Sequence, residues 1–144
     1  KFIGDGVMSL FGTKSDIRTG AREAMTAAKQ MSKKLSDLNE QLKDDLEEPL
    51  RIGIGIHVGP AIIGEMGYGT ATGLTAIGDS VNTASRLEAM TKEFGAQLIL
   101  SEDVTREAGA TVTSYDEHEI AVRGRAEAVK IFVVKDAADL KIPV

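Results

Sequence analysis

Apolar and polar positions along the chain follow two periods, and each predicts an element. From Ile17 the apolar residues Ala21, Ala24, Ala28, Met31, Leu35, Leu38 and Leu42 follow at alternating spacings of four and three. That is one stripe on an amphipathic helix. Ser15 and Asp16 stand in front of it as candidate N-caps. The charged run Asp44, Asp45, Glu47, Glu48, closed by Pro49, ends it. The stripe is heptad-like, but its Ala-rich first half favours a helix laid on a sheet. Gly20 lowers the propensity of this helix by about 1 kcal/mol relative to Ala.

Period two appears at 50–58, where Ile alternates with Gly through Ile52, Gly53, Ile54, Gly55 and Ile56. This predicts a strand, with the glycines marking close approach of another backbone or a neighbouring helix. A dinucleotide fingerprint does not fit, because Val58 stands where the third Gly belongs. His57 is expected as a hydrogen-bonded core residue. Two short apolar runs, 1–3 and 7–11, flank Gly4-Asp5-Gly6 and predict a hairpin. Ala61–Ile63 and Leu74–Ile77 predict short strands joined by a flexible connection containing Gly64, Gly67, Gly69 and Gly73.

Gly78-Asp79-Ser80 opens a helix running to Phe94, with Asp79 or Ser80 as its cap and Gly95 past its end. On it Val81, Ala84, Leu87 and Thr91 share one face. Asn82 and Arg86, spaced i, i+4, project together away from the core. A strand at 97–100, a short helix capped by Ser101, and strands within 111–122 and 129–134 complete the chain. Arg123-Gly124-Arg125 lies in the last turn. The pattern predicts one α+β domain with a mostly antiparallel sheet and helices on one face.

Composition narrows the function classes. The 144 residues carry 17 Lys and Arg against 22 acids, a net charge of −5. Nucleic-acid coats and anionic-membrane binders need a basic surface, so neither class fits. Aromatics are 4%, too few for a base-stacking platform. Cysteine is absent, which excludes disulfides and thiolate chemistry and fits a reducing compartment. No apolar run approaches the roughly 20 residues of a membrane helix. The opening Lys1-Phe2-Ile3 has no initiator Met and reads as cut from something longer.

Three clusters could carry chemistry: Asp5 on a tight hairpin, Asn82 with Arg86 on one helix face, and the basic turn of Arg123 and Arg125. Hard cations take carboxylate and phosphate oxygens, and Arg matches phosphate bidentately. Together the clusters suggest phosphate chemistry. Taken singly, each is more often a turn Asp, a solvated helix face or a basic surface loop.

The combination is more specific. Lys1-Phe2-Ile3-Gly4-Asp5-Gly6-Val7-Met8-Ser9-Leu10-Phe11, then Leu50-Arg51-Ile52-Gly53-Ile54-Gly55-Ile56-His57-Val58-Gly59-Pro60, then Thr75-Ala76-Ile77-Gly78-Asp79-Ser80-Val81-Asn82-Thr83-Ala84-Ser85-Arg86-Leu87-Glu88 occur in this order. The chain closely resembles the class III adenylate/guanylate cyclase catalytic domain, of the bacterial adenylate cyclase type, from about residue 1 to 134. The resemblance implies a ferredoxin-like nucleotidyl cyclase fold lacking its first strand and first two helices. Residues 1–144 would then be a single, incomplete catalytic domain.

The resemblance also implies the activity. ATP would be cyclised to 3′,5′-cyclic AMP by attack of the 3′-hydroxyl on the α-phosphate, with two Mg²⁺ or Mn²⁺ ions per complete site. Asp5 matches the second metal-binding Asp. Asn82 matches the Asn that orients the ribose, and Arg86 the Arg that stabilises charge on the α-phosphate. Arg125 falls where the family carries a Lys that grips the terminal phosphates, with Arg123 beside it. Lys1 and Thr75 match the base-reading positions, and both point to ATP. The family's site lies between two protomers, which implies a homodimer. An upstream sensor or regulatory domain is expected, in the cytoplasm or on the cytoplasmic side of a membrane-bound protein.

Two departures shape the expectation. The first metal Asp is absent from this stretch, so the stretch by itself is expected to turn over little or nothing. The segment 67–73 carries no Arg, where many relatives have one near the phosphates. The competing functions are a guanylate cyclase, which Lys1 argues against, and a degenerate cyclase-fold module that binds a nucleotide or a partner without chemistry.

Overall fold

The computed structural model describes residues 1–69, 71–122 and 126–143. Its centre is a four-stranded sheet of β3 (Ile54–Ile56), β6 (Leu98–Ser101), β8 (Val129–Val134) and β7 (Asp116–Ile120), in that order. β3 lies parallel to β6, and the other two pairings are antiparallel. Between β3 and β6 the chain makes a second hairpin, β4 (Ile62–Tyr68) with β5 (Ala71–Ile77), and then α2 (Asp79–Phe94). The first hairpin is β1 (Phe2–Ile3) with β2 (Gly6–Val7). The remaining helices are α1 (Ile17–Leu42) and α3 (Glu102–Ala108), and Ala137–Asp139 form one 3₁₀ turn.

Strand alternation divides the core into two layers. Leu98, Leu100, Phe132 and Val134 point to the face covered by α1 and α3, where they bury Ala21, Met25, Ala28, Val104 and Ala108. Ile99, Ile131 and Val133 point to the other face, where they meet Leu87 and Met90 of α2. Helices therefore cover both faces of the sheet, not one as the pattern suggested. The physical reason is the Ile/Gly alternation of β3. Ile54 and Ile56 join the α1 layer. Gly55 turns the other way, and a Cβ there would collide with the backbone of α2 at Ala84 and Glu88. At Gly53 a Cβ would collide with Thr91 Oγ1. The glycines let a helix lie directly on the strand, as the sequence suggested.

α1 starts where expected. Asp16 is its N-cap, with Oδ1 accepting from Thr19 N at 2.7 Å. Gly20 is also accounted for, since a Cβ there would stand 2.7 Å from Gly12 Cα, so the incoming chain packs on this turn. Buried residues on α1 are Gly20, Ala21, Met25, Ala28 and Ser32, while Met31 and Leu38 farther along the stripe are exposed. Ser32 Oγ lies 2.8 Å from both Gln97 Oε1 and Asp136 Oδ1, which ties α1 to the start of β6 and to the 3₁₀ turn. Ser101 caps α3 by accepting from Val104 N at 3.3 Å.

Three further expectations change. The glycines at 64, 67 and 73 lie in a paired ladder, in which Ile62↔Ile77 through Tyr68↔Ala71 are in register. Gly supplies the ladder's N–H and C=O as well as any residue, so a glycine-rich segment with alternating neighbours can pair. The strand expected at 50–58 contracts to Ile54–Ile56, where β6 provides a partner. At the start of α2 neither Asp79 nor Ser80 is the cap. Gly78 occupies that position, and no side chain caps the helix.

Candidate functional site

Two elements bring the expected base-reading residues together. The β1–β2 hairpin closes through a two-residue loop, Gly4-Asp5, with Gly4 at φ +58° as a type II′ turn requires. Lys1 extends this hairpin by one backbone pair, donating from its N-terminal amine to Met8 O at 2.9 Å and accepting from Met8 N at 2.7 Å. Its side chain crosses to the second hairpin, where Nζ donates to Thr75 Oγ1 at 2.8 Å. Thr75 is only 6% exposed, and it stands on β5 directly opposite Gly64. Two residues 74 positions apart thus form one polar unit.

The other candidates sit on nearby elements and face solvent. Asp5 is exposed at the hairpin tip, four residues from Lys1. Asn82 and Arg86 are exposed one turn apart on α2, off the stripe of Thr83, Leu87, Met90 and Thr91 that buries this helix. Among the described residues no hydrogen bond or ion pair engages the side chains of Asp5, Asn82 or Arg86. A carboxylate, an amide and a guanidinium left open to solvent are free to meet an anionic, hydroxyl-bearing ligand. Arg123 and Arg125 lie outside the described residues.

A hard divalent cation takes about six oxygens. Asp5 offers one carboxylate, and among the described residues no three His, Cys, Asp or Glu side chains converge. The described residues do not by themselves assemble the two-ion site that the resemblance implies.

His57 is a core residue, as expected. Its side chain is 3% exposed, with Nδ1 2.8 Å from Ser101 Oγ and 3.9 Å from Asp103 Oδ2. Two groups elsewhere in the chain are displaced from their ordinary titration. The Thr19 backbone N–H holds the Asp16 carboxyl below its ordinary value. Glu117, and then Glu102, raise the Lys130 ammonium.

The fold is an α+β domain that joins Lys1 to Thr75 across two hairpins and leaves the Asn82 amide and Arg86 guanidinium facing solvent on α2. The comparisons agree on the family. The sequence model described as the adenylate and guanylate cyclase catalytic domain matches residues 1–136. An adenylate cyclase of Anabaena cylindrica is 32% identical over 142 residues, covering 94% of this chain and 27% of that protein. Among solved structures, the guanylyl cyclase Cya2 aligns with a TM-score of 0.79 at 25% identity, covering 99% of this chain and 73% of its own. The adenylyl cyclase CyaB from P. aeruginosa aligns with a TM-score of 0.75 at 30% identity, covering 94% and 70%. This chain belongs to the adenylate and guanylate cyclase catalytic domain family. It spans about a quarter of the length of the Anabaena protein. No described helix is long and apolar enough to cross a membrane.

Proposed function

We propose that residues 1–144 belong to the catalytic domain of an adenylate cyclase, which converts ATP to 3′,5′-cyclic AMP and pyrophosphate. The observation that carries this is the Lys1–Thr75 hydrogen bond. A Lys ammonium only donates, and the N1 of adenine only accepts. Thr75 Oγ1 keeps a second lone pair that can accept from the exocyclic amine of adenine. Guanine offers N–H donors at N1 and at its amine, and a Lys cannot receive either.

In the reaction the ribose 3′-oxygen forms a bond to the α-phosphorus, the bond to the bridging oxygen breaks, and pyrophosphate leaves with that electron pair. The 3′-hydroxyl proton passes to solvent. Asn82 holds the ribose, and Arg86 meets the charge developing on the α-phosphate. Arg125 is assigned to the terminal phosphates. Asp5 contributes one carboxylate ligand for Mg²⁺ or Mn²⁺, with triphosphate oxygens as further ligands. The site is shared in a homodimer in the cytoplasm, with a regulatory domain elsewhere in the protein. Exposed Phe2, Ile3, Val7 and Ile62 support an apolar contact between copies.

A guanylate cyclase is the second reading, favoured by the alignment with Cya2. Formation of cyclic AMP and cyclic GMP, measured with Mg²⁺ or Mn²⁺ on the full chain that carries this sequence, separates the two. Cyclic AMP should dominate. Comparable cyclic GMP would overturn the base assignment, and no product from either nucleotide would point to a non-catalytic module. Arg86→Ala should lower kcat by about 10²–10³, or 2.7–4 kcal/mol of transition-state stabilisation, without changing the melting temperature. Near-normal turnover would remove Arg86 from its role.

A further inference from the structure

The glycines of this fold fall into two groups. Gly53, Gly55 and Gly59 have no room for a Cβ, because α2 or Ser80 fills the space. Gly64 and Gly73 lie inside strands, a Cβ on either would meet nothing within 4 Å among the described residues, and neither has positive φ. Neither packing nor backbone conformation calls for glycine there. A strand-interior Gly still costs about 0.5–1 kcal/mol relative to Ala. In strands such a residue often marks the close approach of a ligand or another backbone.

Register places these two positions beside the base-reading pair. Gly64 is directly opposite Thr75, so the two share a face of the hairpin. Gly73 precedes Thr75 by two on the same strand and shares that face as well. Ile62 and Ile77, paired with each other, continue the face toward α2 and are 77% and 57% exposed. Thr75 is itself buried to more than nine-tenths. Its oxygen accepts from Lys1, and no described acceptor takes its hydroxyl proton. The Lys1 side chain does not cover Gly64, since the space there is open. The buried hydroxyl, the ammonium and a side-chain-free surface therefore adjoin, with an apolar pair at one end.

We infer that Gly64, with Gly73 beside it, is the floor on which the planar purine of the nucleoside triphosphate lies while Lys1 and Thr75 read its edge. The inference rests on the adenine reading proposed above and adds what sets the shape of that subsite. Any side chain at position 64 would stand where the ring lies.

Binding is measured on the full chain with 3′-deoxy-ATP, which cannot cyclise, and with base-free tripolyphosphate. The native chain should prefer the nucleotide. Gly64→Val should weaken 3′-deoxy-ATP binding about tenfold or more, as a misfit methylene or two does, and leave tripolyphosphate binding unchanged. Gly64→Ala, whose one methyl meets nothing in the fold, should show a smaller loss in the same direction, and it carries the test if the Val variant does not fold. Unchanged nucleotide affinity in both variants overturns the floor while the native preference keeps the Lys1–Thr75 reading. Equal loss of both probes, or a changed sedimentation coefficient, overturns it in favour of a contact with a second copy. A native chain with no preference for the nucleotide overturns the adenine reading and the floor together.

Discussion

β6 and β4 are both regular strands, yet they live in opposite surroundings. Every residue of β6 is buried, with neighbours on both edges and helices over both faces. In the β4–β5 hairpin, Ile62 is 77% exposed and Tyr68 is 94% exposed, and among the described residues each strand pairs only with the other. Hydrogen bonding is equally regular in both, so it does not separate them. What separates them is the apolar area removed from water, about 25 cal/mol per Å². The sheet holds the fold, and the hairpin presents a surface. The same contrast applies to glycine, which is there to admit a helix at β3 and has no structural duty at Gly64.

The largest expected effect tests the sheet side of that contrast. Gly55→Ala places a methyl inside the backbone of α2, which cannot swing aside as a side chain could. It should destabilise by about 3 kcal/mol and lower the melting temperature by about 10 °C. A melt close to the native one would mean that α2 does not sit on β3. Next comes Ser32→Ala, which removes the hydroxyl that bridges Gln97 and Asp136. A loss of about 1–2 kcal/mol is expected in urea unfolding at unchanged m-value. A changed m-value would place the effect in the denatured state instead.

On the hairpin side the sign should reverse. Gly64→Ala should stabilise by about 0.5–1 kcal/mol, because the methyl fits and the unfolded chain loses freedom. Destabilisation there would show that the face is already covered, and the contrast between the two regions would fail. Smallest is the acid dependence of α1. The folded state holds the Asp16 carboxyl below its ordinary value through the Thr19 N–H. Its contribution is therefore present above the unfolded carboxyl pKa and is lost as pH falls through the lowered folded one. Asp16→Asn keeps an acceptor but does not titrate. The native chain should lose more stability than this variant in melts from about pH 5 to pH 2, and parallel curves would refute the capping role.

Much of the fold was legible. The four–three spacing located α1, and period two located β3, because both follow from side chains alternating between water and a packed surface. Gly53 and Gly55 announced a close backbone or helix, though not that it was α2 on the second face of the sheet. Of the β4–β5 ladder only the outer ends, Ala61–Ile63 and Leu74–Ile77, were legible, since the glycine-rich middle lacks the apolar alternation by which strands are recognised. The Ser32–Gln97–Asp136 network left no signal, as its members are 65 and 104 positions apart from Ser32. At the site, the i, i+4 spacing of Asn82 and Arg86 was enough to place both on one exposed face. Gly64 had no signature distinct from the other glycines.

The family resemblance singled out Lys1 and Thr75, and the local pattern by itself put the candidates Asp5 on a turn and Asn82 and Arg86 on one face of a helix. These placements are short-range properties, fixed by propensity and periodicity over a few residues. Only the tertiary structure decided that Lys1 and Thr75 share a hydrogen bond, that α2 rests on glycine, and that the space over Gly64 is open. Those facts depend on segments distant in the chain meeting at separations of a few ångströms. Packing sets such distances, and no local pattern encodes them.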